Sequence, residues 1–231
     1  PPIRIKDFSR RERVAQDTSR GKISRPQRKA GSWEWIEAFQ TEANPWLSAL
    51  AEFMFETGAR VGQCTALRPR DLDLDGSRVL LPASKDHPPQ WITISAEMAD
   101  TLRSLHPRRP ASRNGRDHGV RVFGYRDPEG LFDTWRRACK RAGIEYLTPH
   151  QVGRHGFYTE LTVRQGLDRK TAAEAGRWSD PALPDRIYAH GEMGDEEIRK
   201  RIRTSRVQGA VKKPPNDLKD NVNSATHQSP S

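Results

Sequence analysis

The sequence of 231 residues is poor in cysteine and contains no long hydrophobic run. Only Cys64 and Cys139 are present, so a disulfide framework and a zinc site with four thiolate ligands are both excluded. No apolar stretch approaches the roughly 18 residues that a membrane-spanning helix needs, and no signal peptide opens the chain. We therefore expect a cytoplasmic, intracellular protein in a reducing compartment, without a membrane partner.

The positive charge of the chain is concentrated at its two ends. The formal net charge is +10, of which residues 1–30 contribute +7, from ten Lys or Arg and three Asp or Glu. Residues 205–231 contribute +2, so the part between the two ends carries only +1. A basic chain favours a polyanionic partner, but basic ends can equally be solvated linkers. The charge alone hints at nucleic acid and does not establish it.

The sequence pattern predicts one ordered domain between two polar tails. Residues 1–31 are rich in Arg, Ser, Gln and Pro and predict a linker or arm, and residues 205–231 predict a disordered tail. Residues 32–204 contain mainly helical patterns and two β-rich runs, at 77–82 and 90–94, which predict a hairpin with a long tip. The predicted fold is mainly α with a small antiparallel β-sheet (α+β).

Capping signals place several of the predicted helices. Asn44 and Pro45 begin one helix, Gly58 ends it, and a second short helix is predicted from Ala59 to Leu67. Thr148 and Gln151 form a predicted capping box, with a proline at the first helical position between them. Further helices are predicted at 96–105, 128–142, 168–176, 180–188 and 194–204.

Chemistry is first indicated by the helix that follows Thr148. His150 and Arg154 are four residues apart, so both side chains project from one face near the helix N-terminus. A phosphate placed there would meet an imidazole, a guanidinium group and free backbone N–H groups. Taken alone, the pair is more often an ordinary surface histidine and arginine, and Tyr188 is more often an ordinary half-buried tyrosine.

Three segments follow one another along the chain: FETGARVGQCTAL with Arg60, PHQVGRHGFYTEL with His150 and Arg154, and AGRWSDPALPDRIYAHG with Trp178 and Tyr188. In this order and spacing they resemble the catalytic domain of the tyrosine recombinases, the phage integrase family. The resemblance covers about residues 33–204 and implies the tyrosine recombinase/integrase catalytic-domain fold. It also implies site-specific DNA recombination, the integration or excision of a mobile element, by an enzyme without a metal or another cofactor.

The resemblance implies that Arg60 and Arg154 are the two phosphate-clamping arginines and that His150 is the histidine of the same site. Planar guanidinium groups neutralise the charge that grows on a phosphodiester in the transition state, as a metal ion does in many nucleases. The family usually has three positions from His to Arg, whereas His150 and Arg154 are four apart. His155, directly after Arg154, is the alternative to His150. Gln63 stands where an acid is usual in the family.

Tyr188 matches the nucleophile of the family, and Trp178 matches a position held by His or Trp. Lys85, in the hairpin tip, matches the acid that gives a proton to the leaving 5′ oxygen, with Arg78 and Lys140 as alternatives. A phenol, whose pKa is near 10, attacks phosphorus only after its proton is removed. The resulting 3′-phosphotyrosine keeps the bond energy for rejoining. The spacing of ten residues from Trp178 to Tyr188 is one longer than usual.

The implied partner is double-stranded DNA, bound by a homo-tetramer. In the family a C-terminal segment often docks onto a neighbouring protomer, and Ile198 and Ile202 share one side of the predicted helix 194–204. A separate N-terminal DNA-clamping domain is also usual, and we expect residues 1–31 to be the linker that follows it. Two other functions remain open, a type IB-like topoisomerase that relaxes supercoils and a DNA-binding module without catalysis.

Overall fold

The computed structural model describes residues 28–84, 87–111 and 117–188, together with Arg199. All the helices and strands given below belong to one unit that ends at His190, and of the second unit, Gly191–Ser231, only Arg199 is described. Lys85 and, apart from Arg199, the predicted helix 194–204 lie outside the described residues. No helix in the described ranges is long and apolar enough to cross a membrane.

Helices dominate the described ranges, and all but the first were predicted from the sequence. Helix α6 consists of three consecutive segments, Gln151–His155, Gly156–Thr159 and Glu160–Arg164, of which the first and third are π-helical. The other helices are α1 (Trp33–Gln40), α2 (Pro45–Thr57), α3 (Val61–Ala66), α4 (Ala96–Ser104), α5 (Pro128–Arg141), α7 (Arg169–Ala175) and α8 (Ala182–Tyr188).

The predicted hairpin is present and belongs to a small antiparallel sheet. Strand β2 (Arg78–Leu81) pairs with β3 (Gln90–Thr93), and a two-residue strand, β1 (Leu72–Asp73), pairs with the other edge of β2. Val79 and Leu81 of β2 are both buried. They are two residues apart, and alternate side chains of a strand point to the same face. The sheet therefore presents one face to the helical core, and the predicted α+β fold is confirmed.

The predicted capping residues form the expected hydrogen bonds. The Asn44 side chain accepts a hydrogen bond from the Leu47 N–H at 3.0 Å, and α2 ends at Gly58, whose φ of 63° favours glycine. At the start of α6, the Gln151 N–H donates to Thr148 Oγ1 at 3.2 Å, and the Thr148 N–H donates to Gln151 Oε1 at 3.1 Å. These reciprocal bonds confirm the capping box and fix where α6 begins.

Glycines allow helix α6 to pack closely against its neighbours. A Cβ at Gly156 would lie 2.8 Å from the Phe55 ring of α2, and a Cβ at Gly31 would lie 2.8 Å from Val152 Cα. Helix α2 itself is the centre of the core, because nearly all of its apolar side chains are fully buried. The α2–α6 contact thus determines how far the residues after α2 lie from those at the start of α6.

A buried aromatic cluster supports the segment that leads into α6. The Phe39 ring lies 4.5 Å from the Trp135 ring and 5.0 Å from the Trp35 ring, measured between centroids. The Trp135 indole N–H donates a hydrogen bond to the carbonyl of Leu147 at 2.8 Å. Since Leu147 directly precedes Thr148, α5 holds the N-terminal end of α6 through this bond.

Replacing Trp135 by Phe is expected to lower the free energy of unfolding by about 1–3 kcal/mol, because the buried Leu147 carbonyl loses its donor. The smaller ring also leaves a cavity. Urea denaturation measures the change, and Trp91→Phe is the matched control because Trp91 is 50% exposed. Equal losses in the two variants would contradict this role of Trp135.

Candidate active site

A cleft of about 380 Å³ brings together five of the six residues that the sequence singled out. Its walls come from the α2–α3 connection, the start of α6, the segment after α7, and α8. The five residues are Arg60, His150, Arg154, Trp178 and Tyr188. The sixth, Lys85, lies outside the described residues.

Arg60 is held at the start of α3 by groups from two other parts of the chain. Its side-chain Nη1 donates to Ser84 Oγ at 2.8 Å, in the hairpin tip. Its backbone N–H donates to Gln63 Oε1 at 3.2 Å, and Gln63 Nε2 donates to the carbonyl of Pro82 at 2.9 Å. Gln63 therefore caps α3 and ties it to the residues that follow β2, a task that uses both its acceptor and its donor.

His150 and Tyr188 are in direct contact. His150 Nε2 lies 2.8 Å from the Tyr188 hydroxyl, and Tyr188 is only 8% exposed. Burial raises the pKa of Tyr188, although the positive charges of Arg154 and Arg60 oppose that rise. Burial, reinforced by the charge of Arg154, lowers the pKa of His150 below its ordinary 6.5. Both shifts favour the uncharged forms, and with its proton on Nδ1 the imidazole accepts a hydrogen bond from the hydroxyl at Nε2.

Arg154 is a buried cation whose hydrogen-bonding capacity is only partly used. Its Nη1 donates to the carbonyls of Gly58 and Gly176, each at 3.0 Å, and its guanidinium carbon lies 3.9 Å from the Trp178 ring centroid. Its Nη2 is buried and has no partner among the described residues. Burial, reinforced by the charge of Arg60, lowers the pKa of Arg154 to about 9. An anion in the cleft would relieve both the missing bond and the unbalanced charge.

The unusual spacing of His150 and Arg154 coincides with a π-helical turn. The N–H of Gly156 bonds to the carbonyl of Gln151, five residues back, instead of four. One full turn of a π-helix takes about one residue more than one full turn of an α-helix. Four positions in this turn thus give nearly the direction that three give in an α-helix, and both side chains line the cleft.

The structure also places the alternatives left open by the sequence. The His155 ring is buried, with its centroid 4.9 Å from that of Tyr188, and His150 Nε2 lies 2.8 Å from the Tyr188 hydroxyl. Arg78, the first residue of the central strand β2, pairs with Asp73 of β1, and Lys140 is exposed on α5. Neither Arg78 nor Lys140 lines the cleft.

Two residues near the cleft were not predicted from the sequence. The charge of Arg28 contributes to the lowered pKa of His150 and opposes the rise at Tyr188, although Arg28 lies in a segment expected to be a linker. Arg177 is half-buried with a φ of 59°, and it precedes Trp178. Its place beside a glycine that ends a helix was the available signal, whereas nothing in the sequence marked Arg28.

The same fold occurs in solved recombinases and integrases. The crystal structure of XerA recombinase gives a TM-score of 0.58 at 23% identity, covering 80% of this chain and 66% of that one. The catalytic domain of bacteriophage HP1 integrase gives 0.52 at 20% identity, covering 83% and 98%. A lambda integrase dimer bound to a COC′ core site gives 0.56 at 17% identity, covering 80% and 57%. The predicted catalytic-domain fold is confirmed.

The sequence itself identifies the family. The model of the phage integrase family matches residues 34–194, and this chain belongs to that family. The tyrosine recombinase XerD of Neisseria meningitidis serogroup B (strain MC58) is 25% identical over 170 residues, which cover 71% of this chain and 53% of the relative. The XerD of a serogroup A strain (Z2491) is 26% identical over the same shares. The chain thus spans about half the length of the curated relatives it matches.

Gly176 leaves room for the Trp178 ring that covers Arg154. A Cβ at Gly176 would overlap the indole, although its φ of −82° suits any residue. Gly176→Ala is therefore expected to push the ring off Arg154 and to lower the free energy of unfolding by about 1–3 kcal/mol, as other overpacked sites do. Gly62→Ala is the control, because Gly62 lies in α3 with nothing nearer to its Cβ than 4.0 Å.

Denaturant unfolding of both variants measures the difference. Gly62→Ala should be neutral or stabilising, since alanine favours helix. A Gly176→Ala variant as stable as the native chain would contradict the proposed contact between the ring and this position.

Proposed function

We propose that this chain is the catalytic part of a site-specific tyrosine recombinase, which breaks and rejoins double-stranded DNA to integrate or excise a mobile element. The observation that carries the proposal is the cleft itself. In it, a tyrosine hydroxyl contacts an uncharged imidazole beside two arginines, one of which has a buried N–H group without a partner among the described residues. Family membership supports the same activity.

The cleft residues support a transesterification at phosphorus. His150 Nε2 accepts the proton of Tyr188 as the Tyr188 oxygen attacks the phosphorus atom. The bond from phosphorus to the 5′ oxygen breaks, a 3′-phosphotyrosine forms, and the 5′ oxygen takes up a proton. Arg60 and Arg154 neutralise the charge that develops on the phosphoryl oxygens. Reversal of these steps by a 5′ hydroxyl rejoins the strand, so no external energy source is needed.

We assign Lys85 as the acid for the leaving 5′ oxygen. The supporting observation is that Arg60 donates a hydrogen bond at 2.8 Å to Ser84, the residue directly before Lys85. We assign Trp178 to the support of Arg154, whose guanidinium its ring covers, with its indole N–H available as a donor to a phosphoryl oxygen.

The proposed substrate is double-stranded DNA, and the proposed assembly on it is a homo-tetramer. Solved relatives of the fold include a lambda integrase dimer bound to a COC′ core site and XerH recombinase bound to difH substrate. We propose residues 32–204 as the catalytic domain, residues 1–31 as a basic linker from a preceding DNA-binding domain, and residues 205–231 as a tail. The basic character of residues 1–30 supports contact with phosphate.

Covalent capture on randomised DNA tests the proposed function and requires no defined target site. The native chain is incubated with a pool of nicked DNA duplexes of randomised sequence, in which the short fragment released by cleavage diffuses away and prevents rejoining. We expect a protein–DNA adduct that survives denaturing electrophoresis. Tyr188→Phe should form none, since it lacks the attacking oxygen, and the matched control Tyr146→Phe, at an exposed tyrosine, should react like the native chain.

The captured DNA separates the competing functions. Convergence on one sequence supports site-specific recombination, whereas adducts of unrelated sequence would favour a topoisomerase-like activity. DNA binding without any adduct from the native chain would overturn the proposed catalysis and favour a binding module.

The pH dependence of adduct formation tests the role of His150. The pKa of His150 lies below 6.5, so the imidazole stays uncharged and able to accept a proton as the pH falls past that value. We expect the rate to fall on the acid side only below pH 6.5, and this acid limb to be absent in His150→Asn. An acid limb above pH 6.5, or one that survives the substitution, would assign the proton acceptor to another group.

A further inference from the structure

Two arginines bridge the same pair of loops by donating to four backbone carbonyls. Arg154 Nη1 donates to the carbonyls of Gly58 and Gly176, each at 3.0 Å. Arg177 Nη2 donates to the carbonyl of Thr57 at 2.7 Å, and its Nη1 donates to that of Ala175 at 3.1 Å. Each guanidinium therefore joins the end of α2 to the end of α7, and the two bridges lie one residue apart on both sides.

The two joined loops carry groups from opposite walls of the cleft. The loop after α2 leads directly into Arg60, and the loop after α7 contains Trp178 and leads into α8, which ends at Tyr188. Arg154 itself faces the cleft, whereas Arg177 lines a separate depression on the side of β3. Arg177 is thus placed to hold the loops without meeting the substrate.

The position of Arg177 is unfavourable for both its backbone and its charge. A φ of 59° is a left-handed conformation that suits glycine better than arginine. No carboxylate among the described residues pairs with Arg177, and burial lowers its pKa to about 10. Neither the backbone conformation nor the burial of the charge therefore favours an arginine at this position. The two hydrogen bonds that its guanidinium donates to backbone carbonyls do favour one.

We infer that Arg177 is a positioning residue, which fixes the spacing of Arg60 and Trp178 by tying the carbonyls of Thr57 and Ala175 together behind the cleft. The inference rests on the proposed function for its effect on catalysis. The bridge itself is a property of the fold and is measurable without any reaction.

Three substitutions of Arg177 distinguish the effect of its hydrogen bonds to the two carbonyls from the effect of its positive charge. Arg177→Met keeps much of the side-chain length and removes every donor, and Arg177→Gly also relieves the left-handed backbone. Arg177→Lys keeps the charge but offers one compact ammonium group, which cannot reproduce the planar fork. Arg121→Met is the matched control, because Arg121 is also half-buried and donates to a backbone carbonyl, that of Ala66 at 3.2 Å, outside the cleft.

Hydrogen exchange measures the bridge directly in the full chain without DNA. The amide N–H groups of Gly58 and Gly176 bond to Met54 and Ala172 at 2.9 and 3.0 Å, next to the bridged carbonyls. We expect both to exchange at least about tenfold faster in Arg177→Met and Arg177→Gly and to be unchanged in Arg121→Met. Unchanged exchange at both amides in the Arg177 variants would overturn the inference, whatever the outcome of the covalent capture.

Single-turnover cleavage of a duplex whose sequence was recovered by the covalent capture measures the effect of Arg177 on catalysis. Displacement of positioned groups by about 1 Å can cost about 100-fold in rate, and we expect a loss of that order in Arg177→Met and Arg177→Gly. Arg177→Lys should lie between these variants and the native chain, while the affinity for the duplex and its salt dependence stay unchanged.

Two results would assign Arg177 a different role. If Arg177→Met reduced the slope of log binding constant against log salt concentration by about one unit, Arg177 would be a phosphate contact. A lysine variant as fast as the native chain would show that charge alone suffices. If the native chain forms no adduct but the Gly58 and Gly176 amides exchange faster in the Arg177 variants, the proposed function is wrong. The role of Arg177 in holding the two loops together is then still supported.

Discussion

Arg154 is a buried cation that contacts two backbone carbonyls and an indole ring, and the shape of the cleft follows from how its charge is accommodated. Removing a guanidinium from water costs several kcal/mol unless hydrogen bonds and nearby electron density replace the water. Here two carbonyls from different loops and the face of an indole ring do so. Because the carbonyls belong to Gly58 and Gly176, the same contacts that stabilise the charge also bring the Arg60 and Trp178 loops together.

The compensation is incomplete in a way that suits an anionic ligand. Nη2 of Arg154, with its two N–H bonds, has no partner among the described residues, and Arg60 adds a second positive charge nearby. A folded protein ordinarily satisfies such a group. In this chain the deficit lies in the wall of a cleft, beside the hydroxyl of Tyr188, where a phosphodiester would supply the missing charge and acceptor.

The sequence predicted the parts of this arrangement that depend on local signals. Asn44, Gly58 and the Thr148–Gln151 capping box define helix ends through their own hydrogen bonds, so their meaning is independent of the rest of the fold. The ordered segments around Arg60, His150 and Tyr188 identified the family for a similar reason: each is short and contiguous. The family resemblance also predicted which distant segments meet, which no local pattern contains.

Other features depended on tertiary contacts and were missed. Helix α1 depends on the burial of Trp35 and Phe39 against Trp135, almost a hundred residues away. The bonds of Arg177 to Thr57 and of Gln63 to Pro82 likewise join distant segments. The π turn could not be deduced from helix propensity, and it lies where α6 packs closely against α2.

The side chain of Gln151 belongs to two structures at once. The side-chain amide accepts a hydrogen bond from Thr148 at the start of α6 and donates one to the carbonyl of Lys29 at 3.1 Å. The backbone carbonyl of Gln151 accepts a third bond, from the N–H of Gly31. The backbone that enters the domain is thereby fastened to the residue directly after His150. The positions of residues 29–31 and of the His150 backbone are consequently coupled through the hydrogen bonds of one residue, Gln151.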